Sequence, residues 1–398
     1  MTKRIFGFFL IVIIFLGCAR IRHPVPEGLV SRAQVLGMAD VRAFSDQPSD
    51  IFINDLIKLL EQEELGGSFF SDFKAEKSYA ALAISGGAAK GAYGAGLLCG
   101  WSKAGTRPDF KIVTGISTGA IIGTYAFLGS KYDQKLKEFY TKHSTKDVWK
   151  NKGLLRVLFS NSFANNLPLR RLLAGYFDQE LLKDVAVEYK KGRRFYVGTT
   201  DLDAQRLVIW DMGKIANIGD DNALKLFRKI ILASATIPAV LAPVYFDVEI
   251  GEDIYDEMHV DGGTIKQVFF LYDVLRGIEK AVTKKGIDAS KIKYSIYVIR
   301  NGYTDSIWKE VPDKLSFIAE RAIDTMTNAQ TTGDLYQLYT FTRLGQGDFN
   351  LAYISPTHKP KGKEFFDPAE MRELFDLGFA EASRGYQWKK VPPGLEKD

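Results

Sequence analysis

The sequence predicts one large α/β domain over about residues 76–390, and three observations predict it. The 398 residues are 46% hydrophobic and 25% charged, the balance of a folded globular chain rather than a disordered one. Apolar runs of strand length alternate with helical stretches. Twice a glycine-containing turn joins an apolar strand directly to a helix, at Tyr79–Trp101 and again at Phe110–Gly129. The length suits a single large domain or two smaller ones, and the alternation runs without interruption, which favours one.

The first strand lies in "YAALAIS" and leads through "GGAAKG" into the apolar helix ending "AGLLCGW". Phe110, Ile112 and Val113 suit the end of a buried strand, and Ala120, Ile121, Ile122, Tyr125 and Ala126 suit the helix that follows. "RRFYVGTTDLDAQRLVIWDMG" reads as two strands around the polar turn Asp203-Ala204-Gln205. "ALKLFRKIILASATIPAV" is a helix broken at Pro238, and "YSIYVIRNG" is a further strand. Asp367, Pro368 and Glu370 mark a helix start, with Met371, Leu374, Phe375 and Gly378 as its packed stripe.

The N-terminal part is organised differently. Residues 1–17 hold a short basic start and an apolar run from Ile5 to Leu16, too short to span a bilayer comfortably. This reads as a signal peptide. Its end, Leu16-Gly17-Cys18, resembles the lipobox of bacterial lipoproteins, although Phe15 departs from the aliphatic residue preferred there. The resemblance implies acylation of Cys18 and attachment to a membrane of the bacterial cell envelope. Because Ala19 is not aspartate, it favours the outer membrane, on the periplasmic side. An ordinary signal peptide or an uncleaved anchor is the alternative. Residues 18–75 are expected to be a turn-rich tether followed by an amphipathic segment carrying Phe52, Ile53, Leu56 and Leu60. Cys99 is then left without a partner and sits in apolar sequence, which suits a small buried side chain.

The formal charge is +5, and removal of Lys3 and Arg4 with the leader leaves +3. That excess is too small to suggest nucleic acid, and no nucleic-acid-binding motif occurs. The run Lys190, Lys191, Arg193, Arg194 fits a solvated loop, or a weak attraction to anionic lipid.

Two stretches carry chemistry. In "GISTG" a serine, Ser117, stands between Gly115 and Gly119 after a strand and before a helix. A sharp strand-to-helix turn exposes its central side chain, and the helix N-terminus favours negative charge beside it. The same pattern also suits a small residue at a tight turn. "SGGAAKGAYGAG" fits neither the P-loop nor the dinucleotide-binding spacing. It offers nearly bare backbone at Gly86, Gly87 and Ala88 beside Lys90, fit for holding an oxyanion or for a close helix–strand contact. A nucleophilic serine needs a base, and the four histidines are poorly placed. His23 lies in the tether, His143 in a polar stretch and His358 in a basic loop, while His259 precedes the turn Asp261-Gly262-Gly263. Asp261 at that turn is the other candidate, although Asp-Gly-Gly is also an ordinary hairpin turn.

Together, in this order, these features resemble the patatin-like phospholipase family. The glycine run resembles its oxyanion loop, Ser117 its nucleophile and Asp261 its base. "ASATIPAVLAPV", Ala233–Val244, resembles its Ala-Ser-x-x-Ile-Pro stretch. The resemblance covers about residues 78–266 well and the last hundred loosely. Ala88 replaces the family's third glycine and Lys90 its arginine, which puts rate in doubt.

The resemblance implies a three-layer α/β/α fold around a central mixed, mostly parallel sheet. It also implies hydrolysis of acyl esters in phospholipids or related lipids by a Ser117–Asp261 dyad, without metal or organic cofactor. Its partners are then lipid substrate and membrane, not nucleic acid. The alternatives are a general esterase or thioesterase on soluble acyl esters, and a catalytically silent lipoprotein that binds lipid or a partner.

Overall fold

The structure, a computed structural model, describes residues 21–47, 49–55, 57, 77–151, 162–272, 280, 283, 292–358 and 365–395. The leader 1–17, Cys18 and most of the amphipathic stretch after Asp55 lie outside the described residues. In chain order the strands are β1 (Gln34–Val35), β2 (Arg42–Phe44), β3 (Lys77–Ile84), β4 (Ile112–Ile116), β5 (Lys150–Asn151) and β6 (Ala164–Asn165). Then come β7 (Arg194–Asp201), β8 (Arg206–Asp211), β9 (Val244–Ile250), β10 (Asp253–Asp261), β11 (Ile292–Arg300) and β12 (Asp348–Tyr353). The helices used below are α1 (Gly91–Lys103), α2 (Thr118–Leu128), α3 (Asp133–Thr141), α4 (Leu167–Tyr176), α5 (Gln179–Lys190), α6 (Met212–Ile218), α7 (Asp221–Ser234), α8 (Leu315–Leu344) and α9 (Pro368–Ser383).

One large mixed sheet runs β1-β9-β10-β7-β4-β3-β11-β12, with β8 also on β7 and β2 on β8. Its run β7-β4-β3-β11-β12 is parallel, and the remaining strands join it antiparallel. Side chains alternate across the sheet as the period of two requires. Leu82 and Ile84 of β3 face one core with α1, α2, α5, α7 and α9, while Ala81 and Ala83 face a second core with Phe52, Val268 and α8. Helix α2 is buried on every side, which explains why it shows no polar face. Asp367 caps α9 by accepting from the N–H groups of Ala369 and Glu370, and its expected stripe is buried. Cys99 is buried and unpaired. No helix among the described residues is long and apolar enough to cross a membrane.

Residues 21–47, expected as tether, are instead laid onto the sheet. β1 pairs with β9 and β2 with β8, and Arg22 pairs with Asp256 at 2.8 Å and with Asp203 at 2.5 Å. These strands are two and three residues long, too short to show an alternating pattern in sequence. The basic run at 190–194 is not a free patch either. Arg193 pairs with Glu188 at 2.7 Å, and Arg194 is buried against Asp55 at 2.5 Å.

The firmest attachment of this N-terminal segment is Arg42, which grips the buried Glu257 of β10 with both guanidinium nitrogens. Burial alone would push the Glu257 carboxyl up, but Arg42 and a bond from His259 bring it down to about 2. Arg42→Ala strands that carboxylate in the core and is expected to cost about 3–5 kcal/mol at neutral pH. A depressed carboxylate stabilises above its ordinary pKa of 4.5 and loses that contribution as pH falls toward 2. Melting temperatures of wild type and variant should therefore converge over that window.

Candidate active site

The parallel strands bring the two motifs side by side at their C-terminal ends. In register Ile84 lies opposite both Gly115 and Ile299, so the turns after β3, β4 and β11 emerge together. Crevices at the carboxyl ends of such strands are the usual ligand sites of α/β sheets. Ser117 follows β4 in a left-handed conformation, φ 55° and ψ −124°, strained for any residue with a side chain. The flanking glycines are required by contact. A Cβ on Gly115 would strike the Gly119 carbonyl, and one on Gly119 would strike the carbonyl of Ile84. Ser234 secures the turn, accepting from the Ser117 N–H at 2.9 Å and donating to the Gly198 carbonyl at 2.8 Å.

Asp261 reaches the same point from the opposite direction. Both residues are 7% exposed, and the Ser117 side chain acts on the Asp261 carboxyl, opposing the rise in pKa that burial causes. The Gly263 N–H donates to the carboxyl at 2.7 Å. The Asp261 N–H is tied to the Thr236 carbonyl at 2.8 Å, and Thr200 donates to its carbonyl at 3.0 Å. The Asp-Gly-Gly turn is thus the end of a strand followed by one 3-10 turn, Gly262–Thr264, capped by Asp261. A Cβ on Gly262 would lie 2.6 Å from the Gly198 carbonyl oxygen. Burial pushes the Asp261 carboxyl up to about 7, and the Ser117 side chain and the Gly263 N–H limit the rise.

The glycine loop differs in part from expectation. The Gly86 N–H is engaged by the Gln267 carbonyl at 3.0 Å, so it is not open to a ligand. The N–H groups of Gly87 and Ala88 have no hydrogen-bond partner among the described residues. Gly87 has φ 154°, and a Cβ there would collide with the Asn301 carbonyl. Ala88 does adopt a left-handed φ of 49°, and its methyl belongs to a cleft wall. Lys90 closes the turn through its N–H on the Gly87 carbonyl at 3.0 Å. Its ammonium sits 5.8 Å from the Tyr303 ring centre and does not line the cleft.

Ser117, Thr118 and Ala88 open onto an apolar cleft whose other walls include Ile121, Phe139, Trp149, Leu169, Ile237 and Met371. None of the four histidines hydrogen-bonds Ser117 or Asp261. His143 does line the cleft, contrary to its polar sequence setting, but its Nε2 meets the Tyr176 hydroxyl at 2.9 Å. His259 is bonded to Thr199 and Glu257, His358 lies 3.3 Å from Glu370, and His23 bonds the Ile254 carbonyl. Sequence reasoning gave no role to Ser234, Thr236, Gln267 or Asn301. The first two lie in the Ala-Ser-x-x-Ile-Pro stretch, which signalled their importance but not their contacts. Asn301, which holds Ser85 through two hydrogen bonds of 2.9 Å, carried no signal beyond ending a strand.

A strained serine at a strand–helix turn, beside a buried carboxyl and bare N–H groups, is an arrangement suited to nucleophilic chemistry. The family model for patatin-like phospholipase matches residues 82–272, a span that encloses the loop, the serine turn and Asp261. Residues 82–272 therefore carry a patatin-like phospholipase domain, the domain of a family of lipid acyl hydrolases. No curated protein matches the sequence. Among solved structures it is similar to VipD from Legionella pneumophila, at 9% identity over 79% of this chain and 68% of that one. The TM-score is 0.34, too low to carry weight.

Gly87→Val forces the loop away from Asn301 and should lower turnover about a hundredfold or more, the worth of one misplaced donor at an oxyanion. Wild-type turnover in a folded variant would reduce the loop to a packing element.

Proposed function

We propose that the chain cleaves acyl esters of membrane lipids with a dyad of Ser117 and Asp261. The observation that carries this reading is Ser117, strained at a strand–helix turn on the wall of an apolar cleft, with the buried Asp261 carboxyl beside it. The ionised Asp261 takes the Ser117 proton as Oγ attacks the ester carbonyl. Charge on the carbonyl oxygen is met by the Gly87 and Ala88 N–H groups and by the positive ends of α1 and α2. The leaving alcohol takes the proton from Asp261, and an acyl-serine remains. Water gives its proton to the same carboxylate, attacks the acyl carbonyl, and releases the fatty acid as the proton returns to Ser117. The apolar lining of the cleft favours an aliphatic acyl chain over a polar substituent.

On mixed phospholipid vesicles, Ser117→Ala and Asp261→Asn should each lower fatty-acid release about a thousandfold or more. With a base near 7, kcat/KM should fall about tenfold per pH unit below that value and level off above it. A raised carboxyl stabilises below its ordinary 3.8 and loses that contribution as pH rises through about 7. Asp261→Asn should therefore gain melting temperature relative to wild type between pH 4 and pH 8. A flat rate profile from pH 5 to pH 8 would rule out Asp261 as the base.

We also propose that Cys18 is acylated and holds the chain on a bacterial envelope membrane, supported by the basic start, the short apolar run and Gly17-Cys18. Intact-mass measurement of the native protein should give a chain beginning at a lipid-bearing Cys18. Retention of Met1, or an unmodified Cys18, would refute this.

A further inference from the structure

We propose that α4 and the residues beside it form a docking lip for a bilayer surface containing anionic phospholipid. The inference rests on the reading above, that the cleft takes acyl chains of membrane lipids. Helix α4 has two distinct faces. Leu169 and Leu172 line the cleft, whereas Leu167, Arg170 and Arg171 lie about half a turn away and are exposed. Phe163, just before the helix, is 59% exposed, and its N–H bonds the Ala239 carbonyl at 2.9 Å. That bond fixes it beside the segment that supplies Ile237 and Leu241 to the cleft. Phe365 is 49% exposed, with its ring centre 4.8 Å from that of Trp149, another cleft residue.

Single exposed apolar residues are ordinary on a protein surface. Here three of them flank the walls of one apolar cleft, and two cations accompany them. Neither Arg170 nor Arg171 forms an ion pair among the described residues, and no acidic residue occurs between 162 and 176. Some other surface cations are matched, as in Lys131 with Asp184 and Arg206 with Asp46. A guanidinium presents paired donors suited to phosphate oxygens, and an aromatic beside basic residues is the composition of elements that lie in a membrane interface. The bilayer is the occupant because a membrane lipid can extend a chain into the cleft only where the mouth meets the surface that holds it.

The test uses the full chain carrying Ser117→Ala, so that vesicles stay intact, with co-sedimentation on phosphatidylcholine vesicles and on phosphatidylcholine mixed with phosphatidylglycerol. Every variant keeps the same N-terminus, so any contribution from residues 1–20 cancels. Arg170→Gln with Arg171→Gln should weaken binding to the mixed vesicles about thirtyfold at low salt, and leave binding to phosphatidylcholine alone nearly unchanged. The paired lysine variants should retain most of the binding. Phe163→Ser should weaken binding to both vesicles. With Ser117 restored, the arginine variants should hydrolyse a short soluble ester at the wild-type rate. Equal wild-type affinity for the two vesicles, or glutamine variants that bind as wild type does, would overturn the proposal. So would a wild-type dimer in sedimentation velocity that Phe163→Ser dissolves, because the lip would then be a self-association face. If the differences in vesicle binding hold while wild type releases no fatty acid, the hydrolase reading fails and the lip stands. Undiminished hydrolysis without those differences has the opposite meaning.

Discussion

The site depends on one edge of β7, where two strands running in opposite directions end against each other. β4 follows that edge in parallel until Ile116 lies opposite Gly198, and β10 follows it antiparallel until Asp261 lies opposite Thr199. The other edge is filled by β8. Ser117 and Asp261 are therefore neighbours because adjacent positions of a third strand hold both, although 143 residues of sequence lie between them. Gly198 stands at the junction. Its carbonyl takes the Ser234 hydroxyl that holds the serine turn, and it leaves room for Gly262 on the carboxyl side. A dyad made in this way needs no third residue to bridge a gap.

The same strand shows how environment separates two carboxyls. Glu257, His259 and Asp261 alternate along β10 and so share a face. Glu257 has a cation, Arg42, and remains ionised down to about 2. Asp261 has only neutral donors and rises to about 7. Two buried acids four residues apart thereby differ, one fastening the N-terminal segment as a carboxylate and one raised toward neutrality, as the proposed base requires. A cation beside Asp261 would have made the burial more favourable and the base weaker.

Much of this was legible in the sequence. The glycine spacing of "GISTG" displays the strand–helix turn because only bare backbone fits between Gly119 and the end of β3. The alternation of strand and helix through residues 79–129 fixes the parallel core, since neighbouring β-α units pack locally. Of the antiparallel half, the two strands around Asp203-Ala204-Gln205 were legible and the N-terminal pairings were not. β1 and β2 are too short for a period, and their pairing is set by contacts more than 150 residues away. The availability of individual N–H groups was hidden for the same reason. Gly86 reads as a donor in sequence, and only the path of the chain after Asp261 brings the Gln267 carbonyl to it. Ser234 and Thr236 lay within a recognised stretch, yet their roles arise from where α7 ends over β7 and β10.

Two of the six described non-glycine residues with positive φ lie nearest the bare N–H groups and the serine turn. Ser117 and Ala88 both hold positive φ, a conformation that costs an L-residue about 1–2 kcal/mol. At Ser117 no substitute without strain is open, because glycine has no hydroxyl. Ala88 is different, since glycine would adopt φ 49° freely and offer the same N–H. What alanine adds is a methyl on the cleft wall, which extends the apolar lining to the edge of the bare backbone. The turn tolerates it because it is closed from both sides, by Lys90 on the Gly87 carbonyl and by Asn301 on Ser85. A departure from the family's glycine thus keeps the donor and dries the surface beside it. In a site that relies on burial to raise its base, excluding water at that edge serves the same end as burying Asp261.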